Sequence, residues 1–228
     1  MRRDVMSKAM SKWVLIGVLA ASATAFAGPL RGTVRLPAPT EPEPGSTPPY
    51  YWNVWNGFVD PADARVDASR EVSVILVGGS VPEPIGCDVA LSGGDFLPRT
   101  MVARPGQPLR IRNGDGCVHE LQSSDLPELA PLGTTPGNTR SVTIPAGGPY
   151  HVSDRLYGHV QGVVHAVPDL AACGRVGRDG AFVFEGVPSG EYTLKVLRGE
   201  TEVHSATVTV TDGETTLEPI TAAPTAGN

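Results

Sequence analysis

Beyond its first 27 residues this chain contains no run of basic residues, no stretch of helical periodicity and only three cysteines. Each shortage removes a class of function. Setting aside the four basic and one acidic residues of the first 27 leaves 14 basic against 23 acidic, a formal charge of −9. A chain that acidic, without a basic patch, has no electrostatic means of holding nucleic acid. The 22 prolines and 27 glycines, with no long 3.6-residue apolar period, argue against helices. No nucleophile–base–orienter set, phosphate-cradling loop or H-E-x-x-H helix stands in the sequence, so nothing in it points to an enzyme.

What is present begins with a leader. Arg2, Arg3, Lys8 and Lys12 precede an apolar run from Trp13 to Phe26, and Ala25-Phe26-Ala27 is a small-x-small cleavage site. This is the layout of a secretory signal over residues 1–27, with a run too short for a comfortable membrane span. Cleavage after Ala27 predicts a periplasmic or secreted protein with no stable membrane span. In that oxidising setting Cys87 and Cys117 are expected to pair, leaving Cys173 as the odd thiol.

Short alternating runs of Val, Ile, Thr, Tyr and Phe, bounded by Gly, Pro, Asn and Asp, predict an all-β protein built of sandwiches or barrels. Clear examples are Arg31 to Leu36, Glu71 to Val77, Leu109 to Arg112, Tyr150 to Asp154 and Tyr192 to Leu197. Pro37 to Pro49 holds six prolines in thirteen residues and reads as an extended surface segment. The aromatics Tyr50, Tyr51, Trp52, Trp55 and Phe58 follow, as a plug over a sheet edge or as a carbohydrate or adhesion platform.

Residues 95–125 carry the most informative string. It runs Phe96-Leu97-Pro98, Pro105-Gly106-Gln107-Pro108-Leu109, Asn113-Gly114-Asp115 and then His119. This resembles the first half of the cupredoxin signature and implies a Greek-key β-barrel or sandwich over residues 81–168. The resemblance makes His119 the match to the first copper-ligating histidine. Matching the later loop by its flanks puts Asp154 where the cysteine would stand and His159 at the second histidine. The thiolate is therefore missing, and an aspartate cannot supply the covalent sulfur bond of a blue-copper site. Three outcomes stay open: an empty binding module, a non-blue Cu(II) or Zn site of His119, His159 and Asp154, or a different loop match. Cys117-Val118-His119 on a strand would also place thiol and imidazole on one face, a Cys/His pair unlike the family's.

The string Asp179-Gly180-Ala181-Phe182-Val183-Phe184, with Val187-Pro188 and Gly190-Glu191-Tyr192-Thr193-Leu194-Lys195-Val196, resembles the carboxypeptidase-regulatory-like (transthyretin-like) β-sandwich. The opening G-x-V and V-x-V-x-L strands of such a module match Gly32-Thr33-Val34 and Val72-Ser73-Val74-Ile75-Leu76. Residues 28–80 and 169–223 are thus expected to form one split sandwich around the middle segment, with tandem domains as the alternative. Together the two resemblances imply a cupredoxin-like binding or scaffold protein of the bacterial envelope, with copper as its doubtful cofactor and an unidentified envelope protein as partner. A functional copper-binding periplasmic electron carrier is the alternative the same resemblance implies.

Overall fold

The computed structural model describes residues 28–36 and 68–221. The leader, the Pro-rich segment and the aromatic cluster lie outside the described residues. The described chain is all-β apart from one 3-10 turn at Ala68–Glu71. Its strands are β1 Leu30–Arg35, β2 Val72–Val77, β3 Val89–Leu91, β4 Phe96–Leu97, β5 Thr100–Ala103 and β6 Pro108–Asn113. They continue with β7 His119–Gln122, β8 Gly133–Thr134, β9 Thr139–Thr143, β10 Tyr150–Asp154, β11 Gln161–Ala166 and β12 Leu170–Arg175. The last are β13 Ala181–Phe184, β14 Gly190–Arg198, β15 Thr201–Val210, β16 Thr215–Thr216 and β17 Ile220–Thr221.

Two sandwiches result. In the middle one, the sheet β4-β3-β6-β9 faces the sheet β5-β11-β10-β7-β8. Strand β6 shows why: its residues alternate exposed and buried, so Leu109 and Ile111 enter the core while Arg110 and Arg112 meet solvent. Phe96, Met101, Leu121, Val152 and Val164 complete that core from both sheets.

The outer sandwich draws on both ends of the described chain. Strand β2 lies between β12 and β14, and β1 pairs with β13, β16 and β17. Val74, Leu76, Leu194 and Val196 from one sheet pack with Leu30, Val34, Phe182 and Phe184 from the other. Gly32 is required here, because a Cβ at that position would lie 2.3 Å from the Phe182 ring. The run from Thr215 to Thr221 is two short strands rather than one, since Pro219 has no N–H for a ladder.

β2 is buried on both faces. Val74 and Leu76 serve the outer core, whereas Ile75 joins Val102, Leu170 and Leu197 in a small cluster at the seam between the sandwiches. Polar bonds reinforce that seam. Ser73 Oγ donates to the Thr100 carbonyl at 2.5 Å, and the Gly199 N–H donates to Thr100 Oγ1 at 2.8 Å. His165 Nε2 donates to the Gly199 carbonyl at 2.6 Å.

The disulfide differs from expectation. Cys87 pairs with Cys173, and Cys117 is the free thiol. The reason lies in the backbone: Ile85 bridges Ala172 in parallel, and the Cys173 N–H donates to the Ile85 carbonyl at 2.8 Å. Residues 85–87 therefore run beside β12, which brings the two Cα atoms to 4.9 Å. Cys117 is held at the far end of β6 and β7 by its own turn.

Candidate metal-site region at one end of the middle sandwich

The site is assembled by a turn between β6 and β7. Asn113, fully buried at the end of β6, donates through Nδ2 to the carbonyls of Cys117 and Thr134, each at 2.8 Å. Its Oδ1 accepts the Asp115 N–H at 2.9 Å, an Asx turn that reverses the chain. Asp115 is buried in turn, and its carboxylate accepts the N–H groups of Gly93 at 2.7 Å and Gly94 at 3.0 Å. The chain then enters β7 with His119 completely shielded from solvent.

His119 is gripped on both sides. Its Nδ1 donates to Asp154 Oδ2 at 2.7 Å, and its Nε2 donates to Asp115 Oδ2 at 3.2 Å. Asp154, at the end of β10, is itself fixed by the N–H groups of Leu156 at 2.7 Å and Tyr157 at 3.2 Å. Cys117 Sγ stands 3.5 Å from His119 Nε2. Tyr157 packs edge-on against the His119 ring at 5.2 Å and lies 6.4 Å from the ring of His159.

These contacts set the charges. Burial opposes the imidazolium, but the hydrogen bonds and charges of Asp115 and Asp154 outweigh it and hold the His119 pKa at about 9. Burial likewise works against both carboxylates, yet the bond each accepts from His119 holds it below the ordinary range. The Cys117 thiol moves the other way. Burial pushes its pKa up, a hydrogen bond with Tyr157 opposes this, and the charges of Asp115 and Asp154 add to the rise. Burial also lowers the pKa of His159.

Of the three residues expected to share a metal, His119 and Asp154 meet directly, as hydrogen-bond partners. His159 is placed instead against the Tyr157 ring. Among the described residues, no group of three or more His, Cys, Asp or Glu side chains could hold a metal ion. Asp115 was visible as part of an N-x-D string, and its four-residue spacing from the histidine was the sequence signal for its hold on His119. Tyr157 carried no signal at all.

No protein-family model and no curated protein sequence matches the chain. Solved structures do. Amicyanin from Paracoccus versutus is 13% identical over 42% of this chain and 98% of its own, with a TM-score of 0.32. A Cu-containing nitrite reductase from Thermus scotoductus SA-01 is 19% identical over 40% of this chain, with a TM-score of 0.31. Only 24% of that reductase is covered. A reduced mutant form of amicyanin is 11% identical over 42% of this chain and 99% of its own, with a TM-score of 0.33. The overlaps are slight. The chemistry of the site therefore follows from its own side chains.

Those side chains do not fit copper between His119 Nδ1 and Asp154. Two ligands each about 2.1 Å from one metal, meeting there at about 90° or more, stand at least about 3.0 Å apart. The observed 2.7 Å is a hydrogen bond and leaves no room for an ion.

Proposed function

We propose that this protein is an exported, cupredoxin-like binding scaffold whose family metal position is held by a proton. The observation that carries this reading is the 2.7 Å bond between His119 Nδ1 and Asp154, at the position where the sequence resemblance places a copper thiolate. The buried imidazolium ties β7 to β10 and to the Asp115 turn, so the position keeps its structural role without redox chemistry.

The same end of the middle sandwich offers a surface for a partner. The large hydrophobic side chains most exposed among the described residues are Val118, Leu132 and Leu156, at 37%, 58% and 45%. All three sit on loops around His119. Val118 lies against Gly133, beside Leu132, and Leu156 follows Asp154. A rim of this kind suits docking of an apolar patch on an envelope protein. The outer sandwich, a carboxypeptidase-regulatory-like module in this reading, is tied to the middle one through the Cys87–Cys173 bridge and the Thr100 seam. An oxidising compartment agrees with the bridge. Among the described residues, no helix is long and apolar enough to cross a membrane.

Cu(II) titration of the Cys117→Ser protein tests the reading, because it removes the one free thiol. No tight stoichiometric copper is expected. Stoichiometric binding that disappears in a further His159→Ala variant would show a working His119–His159 copper site and end the scaffold interpretation.

A further inference from the structure

The sheet β12-β2-β14-β15 has two edges, and they differ. The β12 edge is covered, because Ile85 bridges Ala172 and the Cys87–Cys173 bond fastens the covering segment. The β15 edge is bare. Among the described residues this ten-residue strand, the longest of them, pairs with β14 alone. In an antiparallel ladder every second residue turns its N–H and C=O away from its partner, so β15 presents a row of open donors and acceptors. Edges of this kind are usually blunted by Pro, Lys, a charge or a bulge. A bulge stands at one end only: His204 pairs with Val196 and Glu202 with Leu197, which leaves Val203 as the extra residue. From His204 to Val210 the run His-Ser-Ala-Thr-Val-Thr-Val holds no Pro, Lys, Arg, Asp or Glu. Ser205, Thr207 and Thr209 are exposed while Val208 and Val210 are buried, so the run is a regular pleat.

We propose that this run is the pairing edge for a second copy of the chain, the two β15 strands lying antiparallel about a two-fold axis at Thr207. In that register His204 faces Val210, Ser205 faces Thr209, Ala206 faces Val208, and Thr207 faces Thr207 of the other copy. Every residue of the run is paired. Core-facing residues meet core-facing ones, a match that a one-residue slip would undo. The exposed side gains Thr–Thr and Ser–Thr pairs, which favour cross-strand contact. Charge favours the same occupant. The chain has a formal net charge of −6, so two copies repel over much of their surface, and here they meet without opposing carboxylates. Glu202, just outside the run, is held by Lys195 Nζ at 2.8 Å. The contact is isologous and joins two four-stranded sheets into one continuous sheet. It shares no residue with the apolar rim of Val118, Leu132 and Leu156.

The test is the solution mass of the untagged exported chain, measured by sedimentation equilibrium over a wide concentration range. The mass should approach twice the single-chain value as concentration rises. Thr207→Lys puts two like charges opposite each other on the axis and should return the protein to single chains. Ser141→Lys places the same charge on the edge strand β9 of the middle sandwich and should leave the dimer intact. Residue 207 is exposed, and circular dichroism melting should confirm that both variants fold. A cross-link fixes the register. In the Cys117→Ser background, Thr207→Cys should oxidise to a covalent dimer, since directly opposed residues stand about 4.5 to 5.5 Å apart between Cα atoms, within disulfide reach. A wild type that stays a single chain at every concentration would overturn the proposal. So would a dimer that survives Thr207→Lys, or one that gives no cross-link through Thr207→Cys. None of these results bears on the His119 site, which the copper titration tests separately.

Discussion

Raising the pH of the metal-free protein should remove the proton that His119 shares with its two carboxylates. The free imidazole titrates near 6.5, whereas the folded one, held against burial by Asp115 and Asp154, titrates at about 9. A group whose pKa is raised on folding contributes its full stabilisation below the unfolded value. It loses that contribution as pH rises through the folded value. Two to three pH units at roughly 1.4 kcal/mol each give about 3 kcal/mol, a large part of the stability of an ordinary domain. His119 is completely shielded from solvent, so little of this is lost to screening. Urea unfolding in the presence of a chelator, followed by circular dichroism from pH 6 to 10, measures it. The wild type should lose about 3 kcal/mol between pH 6.5 and 9.5, and His119→Gln should start lower and stay nearly level over that window. A flat wild-type profile, or an equal slope in His119→Gln, would refute the idea that this proton holds the site.

Three further outcomes follow from the packing. The double change Cys87→Ser and Cys173→Ser opens a loop of sequence separation 86 and should cost about 4 to 5 kcal/mol on the chain-entropy account. Non-reducing peptide mapping should link those two cysteines and find Cys117 free, and a Cys87–Cys117 peptide would contradict the fold. Thr100→Val leaves the Gly199 N–H without its acceptor in a buried seam, which should lower stability by about 1 to 3 kcal/mol in denaturant titrations. A fragment of residues 169–228 lacks β2, the strand between β12 and β14, and should show no cooperative unfolding transition. A sharp transition from that fragment would favour tandem domains.

The all-β class was legible because burial follows simple alternation in strands such as β6, where polar and apolar residues trade places one by one. The resemblance to two sandwich strings likewise placed Gly32-Thr33-Val34 and Val72 to Leu76 as strands, and β1 and β2 hold those residues. Long-range chemistry was harder to read. The Cys87–Cys173 pairing depends on the Ile85–Ala172 bridge, a contact between residues 87 apart that no local pattern announces. At the site, residue types were visible but bonding was not. Asp154 and His119 could be a ligand pair or a hydrogen-bonded pair, and a matter of tenths of an ångström separates the two. Sequence spacing alone could not decide it.

The pairing of β2 with β12 has a consequence for how such a chain could arise. Val77, the last residue of β2, lies directly opposite Leu170, the first of β12. In an antiparallel pair such residues sit about 5 Å apart, a gap that a short hairpin turn can span. The middle sandwich therefore hangs from the outer one as a cassette between neighbouring strand ends. A gene coding for the outer module alone could have accepted it at a hairpin without disturbing a single ladder. Reversing the step, by joining Val77 to Leu170 through a tight turn, would leave the register of that sheet intact while deleting every residue of the His119 site.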